Sequence, residues 1–367
     1  MSLISSISVR QFRNFSKYEA RFDPGLNLII GANGTGKSSL LEAISLNALS
    51  KSFRVHRDQV CIKEGESYFQ TETIWKKGET EHKVQVNYLK DKGKNIIFDD
   101  APLEKFSDLI GYFPLVIQSP ENSALTDGGS KEKRNFFDRL FVQSSRTYLY
   151  HYQQYHQLLR QRNALLKELK LKKKLQYDPR LEFIDEKMIV PAWQISSFRK
   201  EKIQQFSLRF CQAFNESFSR YEAEIRFQPS LNSIGFGDYE SEFRQRCQKN
   251  LESDILLSRS LSGPQSDRFS FLLNRQPLES TASQGERKLW ITLMKLSEGE
   301  MIAAETEEKP LFLLDDLFAE LDLENSFTIV QRILNQQQVI ITSTDLADIS
   351  KHKIDAIEPN LKVLNLP

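Results

Sequence analysis

The feature that most constrains this chain is a glycine-rich loop between an apolar run and a helix. Residues 31–38 read Gly-Ala-Asn-Gly-Thr-Gly-Lys-Ser, which fits the pattern GxxxxGK[ST]. The apolar run 26–30 precedes the loop, and residues 38–49 carry leucine and isoleucine at helical spacing. Glycines allow such a loop to fold tightly and to turn its N–H groups toward phosphate oxygens. The sequence therefore predicts a buried strand, a phosphate-binding loop and a helix in an α/β fold, whereas a plain glycine turn is the alternative.

The loop and the start of the helix supply the expected contacts to a nucleoside triphosphate. The Lys37 ammonium reaches the β- and γ-phosphates of such a ligand, and the Ser38 hydroxyl is a ligand for Mg²⁺. The N-terminus of the helix adds a dipole that favours anions. The predicted nucleotide-binding residues here are Gly31, Ala32, Asn33, Gly34, Thr35, Gly36, Lys37, Ser38 and Ser39.

A second half of such a site is an apolar strand that ends in carboxylates. Residues 311–316 read Leu-Phe-Leu-Leu-Asp-Asp. Asp315 is expected to hold Mg²⁺, directly or through water, and Asp316 to orient or deprotonate the attacking water. Many buried strands end in aspartate, so this segment alone is a weak indicator of a nucleotide site. Together with the phosphate loop it becomes a strong one.

Composition limits the class of protein. The chain has 367 residues, of which 40% are hydrophobic and 27% charged, as expected for a globular protein of about two domains. Mean hydropathy is −0.46, and no apolar run approaches the ~18–20 residues of a membrane span. Three cysteines without a CxxC pair and five scattered histidines argue against disulfides and structural zinc, and favour a reducing cytosol. The net charge is only +1, so any nucleic-acid surface must be a local patch.

The two ends of the chain are predicted to share one sheet. Apolar strands at 309–316 and 338–341 cannot form a domain alone, and the N-terminal strands need partners. We therefore expect an ATPase head built from residues 1–118 and 260–367, with residues 119–259 inserted as a helical lobe.

The lobe is predicted to contain an antiparallel helical hairpin. Its first helix has a heptad seam, with Arg162 at the one seam position that lacks an apolar residue; the other members are Tyr148, Tyr152, Tyr155, Leu159, Leu166 and Leu169. An aromatic stripe at 203–221 marks the second helix, and a break is expected around residues 177–185, which include Pro179.

Residues 283–288, Ser-Gln-Gly-Glu-Arg-Lys, open a further helical run. Ser283 fits an N-cap, with Glu286 closing a capping box. Ser283 and Gly285 also fit a second anion site at a helix N-terminus. From the residues alone, both interpretations remain open.

On these motifs the chain resembles the SMC-like class of ABC-type ATPases, and within it the RecF family of bacterial DNA replication and repair proteins. Segments similar to that family include residues 12–15 (Phe-Arg-Asn-Phe), 52–54 (Ser-Phe-Arg), 263–264 (Gly-Pro) and 282–285 (Ala-Ser-Gln-Gly). Two departures are Gln265-Ser266, where the family has His-Arg, and Asn122-Ser123, where it has Asp-Leu.

The resemblance implies roles for further residues. Ser283 would complete the nucleotide site of a partner subunit, and Gln118 would sense Mg²⁺. Residues 319–322 would form the D-loop, and residues 342–344 the switch segment. It also implies ATP and Mg²⁺ as cofactors, an ATP-dependent homodimer on DNA, and weak, slow, DNA-stimulated hydrolysis that releases the DNA. The partners expected from the family are RecR and RecO, in recombinational repair at gaps in the bacterial cytoplasm and nucleoid, with no membrane.

Two basic clusters are the candidate DNA surface. Lysine and arginine suit contacts to the DNA backbone, which give affinity and salt dependence without sequence specificity. A solvated helix face is the alternative for the second cluster. The candidate residues are Arg54, Arg57, Arg160, Arg162, Lys170, Lys172, Lys173 and Lys174.

Two other functions stay open at this stage. One is another SMC-like ATPase, associated with a nuclease or with defence. The other is an ATP-binding DNA scaffold without meaningful turnover, for which Asp316 leaves room because many ABC-type ATPases have glutamate there.

Overall fold

The computed structural model describes residues 2–173, 176, 178–218, 220–317, 331–333, 336, 338–345 and 361–366. The predicted D-loop at 319–322 and Lys174 lie outside the described residues. The chain divides into two compact units: unit 1 is Met1–Thr126 with Ala282–Pro367, and unit 2 is Asp127–Thr281.

The described part of the chain has strands in both units. In chain order they are β1 (Ser2–Phe12), β2 (Phe15–Arg21), β3 (Gly25–Ile30), β4 (Tyr68–Lys77), β5 (Thr80–Leu89), β6 (Gly93–Phe98), β7 (Ala101–Pro102), β8 (Leu115–Gln118), β9 (Ala223–Gln228), β10 (Arg268–Leu273), β11 (Gln276–Pro277), β12 (Leu311–Leu314), β13 (Gln338–Ser343) and β14 (Lys362–Asn365).

The α-helices with described bounds range from one turn to about eleven turns. They are α1 (Lys37–Leu49), α2 (Ala124–Asp127), α3 (Ser130–Ser144), α4 (Arg146–Leu171), α5 (Pro179–Ser217), α6 (Phe236–Lys249), α7 (Leu251–Leu257), α8 (Leu278–Thr281) and α9 (Gln284–Thr306). In the portion of the chain that is described, no helix combines the length and the apolar character needed to cross a bilayer.

Unit 1 contains an antiparallel sheet of the order β2-β1-β4-β5-β6-β7. Ile7 and Val9 are buried on one face of β1, as the alternation predicts. Tight connections around Gly78 and Gly93, both with positive φ, join β4 to β5 and β5 to β6 as hairpins. The strands β4, β5 and β6 therefore form a continuous antiparallel meander.

The second sheet of unit 1 is parallel and has the order β14-β3-β13-β12-β8. Its strands come from both ends of the chain, so the prediction of a shared sheet is confirmed. The residues of β12 and β13 are all buried, as expected of parallel strands covered on both faces. Because β3 lies between β14 and β13, the loop that follows β3 leaves from an interior strand of the sheet.

Unit 2 contains the predicted antiparallel hairpin, made by α4 and α5. Arg162 contacts Asp185 and Glu168 contacts Arg180, so residue numbers rise along α4 as they fall along α5. The break is shorter than predicted and ends before Pro179, because proline is well suited to the first helical turn. Asp178 caps this start with a side-chain oxygen 3.0 Å from the Arg180 amide nitrogen.

Unit 2 is not purely helical, and it extends beyond residue 259. The strand β10 pairs antiparallel with β9 and with β11, which forms a three-stranded sheet. These ladder bonds attach residues 268–277 to the lobe. The boundary between the two units therefore differs from the predicted one at residue 259.

Candidate nucleotide site

Glycine is required in the phosphate loop for two physical reasons. Gly34 and Gly36 have φ angles of 86° and 107°, which L residues with a side chain rarely adopt. A Cβ at Gly36 would lie 2.5 Å from the Phe15 ring and 2.7 Å from Asn14 Oδ1. The chain passes so close to this turn that only hydrogen fits.

Helix α1 begins directly after the loop without a side-chain cap. Gly36 is its N-cap, and its first turn contains no acidic residue. The N–H groups of a first turn have no partner within the helix, and the dipole places partial positive charge there. This end of α1 therefore suits a bound anion.

Lys37 lies under the loop as a buried cation. Its side chain folds back so that Nζ donates to the carbonyl oxygens of Gly31 at 2.7 Å and Ala32 at 3.0 Å. The residue is 8% exposed, and no carboxylate in the described part of the chain forms an ion pair with it. Among the described residues its hydrogen-bond partners are therefore backbone carbonyl groups, and the cation suits an incoming phosphate.

The predicted carboxylate strand meets the loop at its serine. Ser38 Oγ donates to Asp315 Oδ1 at 3.0 Å, and Thr342 Oγ1 donates to the same oxygen at 2.7 Å. Thr342 Oγ1 also accepts from the Asp316 amide nitrogen at 2.9 Å. The structure thus brings Lys37, Ser38 and Asp315 to one edge of the parallel sheet, with Asp316 directly after them. Thr342 is the first residue of the predicted switch segment.

Gln118 ends β8 beside this cluster. Its carbonyl oxygen accepts from the Asp315 amide nitrogen at 2.8 Å, and its Nε2 donates to Thr292 Oγ1 at 2.9 Å. Its Oε1 is buried and has no hydrogen-bond partner among the residues that the structure describes. Buried polar atoms rarely lack a partner unless a ligand or water supplies one.

These oxygens fit a magnesium ion. The Ser38 hydroxyl, the Asp315 carboxylate and the orphaned Gln118 Oε1 are hard donors of the kind that Mg²⁺ prefers alongside phosphate oxygens. In the described residues no group of three or more histidine, cysteine, aspartate or glutamate side chains forms a metal cluster of its own.

Ser283 has the geometry of an N-cap at α9. Its Oγ accepts from the Glu286 amide nitrogen at 3.3 Å, and Glu286 Oε2 accepts from the Ser283 amide nitrogen at 2.7 Å. The capping box predicted as one alternative is therefore present. Ser283 and Gly285 are both exposed, and no described hydrogen bond joins Ser283 to the phosphate loop.

Most of the predicted DNA contacts are on the surface. Arg54 and Arg57 are exposed in the connection after α1, with Arg54 Nε 3.4 Å from Glu121 Oε1. Arg160 and Lys170 are exposed on α4. Beyond its end, Lys172 pairs with Glu168 at 2.7 Å, and Lys173 is also exposed.

Arg162 is different, and its assignment to DNA is wrong. It is 1% exposed, and its guanidinium contacts Asp185 and Asp254 at 2.6 Å each and Ser260 Oγ at 2.9 Å. Burial lowers its pKa, but Asp185, Cys247 and Asp254 together outweigh burial, so the pKa lies above the ordinary arginine value. Its position in the heptad seam agrees with this burial, whereas the prediction of a DNA contact counts the residue as part of a charged run.

Two features of the site were missed from the sequence. Asn14 Nδ2 donates to the carbonyl oxygens of Gly34 and Thr35, at 3.2 and 2.8 Å, and so braces the phosphate loop. Arg13 forms a bidentate ion pair with Glu42 of α1. The Phe-Arg-Asn-Phe segment was noted for its resemblance, but contacts between residues so far apart in the chain have no local signal.

The departure at Gln265 is explained within unit 2. Tyr155 OH donates to Gln265 Oε1, and Gln265 Nε2 donates to the carbonyl oxygens of Ser260 and Ser262. The glutamine side chain is thus used to hold its own loop together.

The fold and site together define a class. A phosphate loop follows the parallel strand β3, and β12, which is separated from β3 by β13 in the same sheet, ends at Asp315, whose carboxylate accepts from the loop serine. A large second unit is inserted in the chain between these two strands. This is the arrangement of an ABC-type ATPase head of the SMC-like class.

Comparison with known proteins makes the assignment specific. The family model RecF/RecN/SMC N terminal domain matches residues 3–353. The DNA replication and repair protein RecF of Chloroherpeton thalassium is 33% identical over 365 residues, which cover 96% of this chain and 98% of the relative. The chain belongs to the RecF family of DNA replication and repair proteins.

Solved structures agree. A structure described as the recombination mediator protein RecF-ATP in the RecFOR pathway has a TM-score of 0.86 at 29% identity, and the match covers 95% of this chain and 93% of that one. The Smc head domain from Pyrococcus furiosus, solved with an extended coiled coil and the C-terminal domain of ScpA, has a TM-score of 0.54 at 17% identity over 96% and 92% of the two chains. The second match supports the fold alone, and the predicted head with an inserted lobe is confirmed.

Proposed function

We propose that this protein is an ATP-dependent DNA-binding protein of recombinational repair, in which ATP closes two copies of the chain on DNA and slow hydrolysis reopens them. The observation that carries the proposal is the cluster of Lys37, Ser38 and Asp315 at the end of the parallel sheet. Lys37 would bind the β- and γ-phosphates, and Ser38 with Asp315 would hold the Mg²⁺ that neutralises them. Asp316 would orient or deprotonate the attacking water.

Dimerisation is proposed from the start of α9. Ser283 and Gly285 are exposed, and the capping box fixes the first turn of a helix whose N-terminus suits an anion. A second subunit would present this end to the γ-phosphate held by the first subunit. Neither subunit alone would then have a complete site, which is why ATP would favour the dimer.

The proposed DNA contacts are Arg54 and Arg57 in unit 1 and the exposed Arg160, Lys170, Lys172 and Lys173 in unit 2. All six are arginines or lysines suited to phosphates, so binding to duplex or gapped DNA would not depend on sequence. The structural relative is described as a recombination mediator of the RecFOR pathway. From that relationship we infer RecR and RecO as partners, and the bacterial cytoplasm as the compartment.

The first test measures DNA binding and protein mass together. A gapped duplex is titrated with no nucleotide, with ADP and with ATP at one salt concentration, while mass photometry counts monomers and dimers. We expect a dimer on DNA with ATP only. Binding that ignores the nucleotide would instead favour an ATP-binding scaffold whose basic clusters work alone.

The Ser283→Ala variant separates nucleotide binding from closure. It should bind ATP as the wild type does but fail to form the dimer. Ser280→Ala, at an exposed serine of α8, is the matched control and should dimerise normally. A Ser283→Ala protein that still dimerises on ATP would contradict the proposed contact between subunits.

A further inference from the structure

A buried carboxylate in unit 1 joins two segments that are distant in sequence. Glu42, on the same helix as Lys37, is 0% exposed. It accepts from Arg13 Nε at 2.8 Å and Nη2 at 2.7 Å, and also from the Ser52 hydroxyl. Cys61 Sγ lies 3.7 Å from the same carboxylate. An ion buried this completely is held in place by its partners, because losing any of them leaves charge without compensation.

One branch of this junction runs to the phosphate loop. Arg13 has a left-handed backbone, with φ 55°, and its amide nitrogen donates to the Cys61 carbonyl oxygen at 2.8 Å. The next residue, Asn14, donates to the loop carbonyls of Gly34 and Thr35. Any displacement of the loop backbone therefore acts on Asn14 and, through the adjacent residue, on the Glu42 ion pair.

The other branch runs to the basic segment, which we define as residues 51–57. Ser52 Oγ accepts from the amide nitrogens of Arg54 and Val55 at 3.0 Å each, while it donates to Glu42. Lys94 Nζ holds the flanks through the Ser50 carbonyl oxygen at 2.6 Å and Asp58 Oδ2 at 2.7 Å. The single hydroxyl of Ser52 thus sets the turn from which Arg54 emerges.

We propose that Ser52 is a positioning residue that couples the state of the phosphate loop to the basic segment, through Glu42, Arg13 and Asn14. A triphosphate bound to the phosphate loop would favour one conformation of this hydrogen-bonded network. Through its hydrogen bonds, Ser52 would change the conformation of the turn at Arg54 and Val55 accordingly. Such a shift requires that the nucleotide interacts differently with the two arrangements. The inference rests on the proposed function in taking the phosphate loop as the ATP site and Arg54 and Arg57 as DNA contacts.

The first arm of the test does not involve DNA. Amide hydrogen exchange of the basic segment is compared with and without ATP in the wild type, Ser52→Ala and Ser52→Thr, with Ser67→Ala as an exposed serine control. ATP affinity should stay within about twofold of the wild type in every variant. We expect the ATP-dependent change in exchange to vanish in Ser52→Ala and to return in Ser52→Thr, which keeps the hydroxyl.

A purely local role has a different signature. If Ser52 acted only locally, Ser52→Ala would speed amide exchange of the basic segment equally with and without ATP. The ATP-dependent difference in exchange would then survive in Ser52→Ala. That result, or the absence of any ATP-dependent change in the wild type, would overturn the inference.

The second arm measures the ratio of DNA affinities with and without ATP. Coupling between sites typically corresponds to about 5–150-fold, and Ser52→Ala should bring the ratio to within about twofold of one. A double Arg54→Ala, Arg57→Ala variant tests the DNA contact itself and should weaken binding in both nucleotide states. If wild-type DNA binding ignores ATP, the proposed function fails, and the exchange arm alone decides the role of Ser52.

Discussion

Lys37 in unit 1 and Arg199 in unit 2 are both buried cations, but their surroundings differ. Arg199 donates to Asp138 Oδ1 and Asp267 Oδ2 at 2.6 Å each, to the Pro264 carbonyl oxygen at 2.7 Å, and to Tyr148 OH at 3.1 Å. Lys37 contacts two backbone carbonyl oxygens and forms no ion pair with any described carboxylate. A cation matched inside the protein maintains architecture, whereas an unmatched one is suited to an incoming anion.

The same distinction separates Arg162 from the lysines that follow it. Arg162 is enclosed by two aspartates at the centre of the hairpin, while Lys172 at the end of α4 pairs with one exposed glutamate. Burial raises the pKa of Asp254 and of Asp267, so each carboxylate depends on its arginine to remain ionised. Charge in the sequence is thus a guide to function only once burial is known.

The largest expected effect is on the stability of unit 2. Arg199→Ala leaves Asp138 and Asp267 buried without their cation, and should lower the free energy of unfolding by about 3–5 kcal/mol. Urea denaturation followed by circular dichroism measures this. Arg209→Ala, at an exposed position of the same helix, is the control and should change stability by less than about 0.5 kcal/mol. Equal effects of the two variants would break the distinction between matched and surface cations.

The second prediction concerns the unmatched cation. Lys37→Ala removes a charged donor from the phosphates and should weaken ATP binding by about 10–150-fold, since such hydrogen bonds contribute about 1.5–3 kcal/mol. The free energy of unfolding should change by less than about 1 kcal/mol, because Lys37 forms no ion pair with a described carboxylate that its removal would leave unpaired. Titration of a fluorescent ATP analogue and urea denaturation measure the two quantities, with the exposed Lys90→Ala as control. A stability loss comparable to that of Arg199→Ala would show that Lys37 is structural.

The smallest effect is expected at the end of the hairpin. Replacing Lys170, Lys172 and Lys173 by alanine should leave the free energy of unfolding within about 1 kcal/mol, as exposed ion pairs contribute little. The slope of log DNA affinity against log salt should become shallower by about 0.9 for each phosphate that the variant no longer neutralises. Lys249→Ala, at the exposed end of α6, should leave the slope unchanged. An unchanged slope in the triple variant would favour the solvated helix face.

Local patterns predicted the elements of this protein well. The phosphate loop needs only consecutive residues, and its glycines, lysine and serine occupy the expected turn and helix start. The buried face of α4 could also be predicted, because apolar residues that recur at helical spacing indicate the side of a helix that is buried. Arg162 also occupies a seam position, but it was assigned to DNA because it was grouped with the charged residues around it.

Contacts between segments far apart in the chain could not be predicted from the sequence. The ladder between β9 and β10, which moves the boundary of the second unit, joins segments with no shared local signal. Likewise, Glu42 looks like any acidic residue on a helix in the sequence, and its contacts with Arg13 and Ser52 are visible only in the structure. Polar groups that find partners across the fold need the topology before they can be assigned.

The strand order of the parallel sheet also has a consequence for synthesis of the chain. β3 emerges from the ribosome early, yet its two neighbours are β13 and β14, near the other end of the polypeptide. At about 5–20 residues per second, translation from β3 to β13 takes on the order of half a minute. During that interval the apolar strand and the loop after it have no sheet to join, although unit 2 is synthesised complete in between. We therefore expect nascent chains of this protein to expose an apolar strand without its sheet partners until β13 has been synthesised.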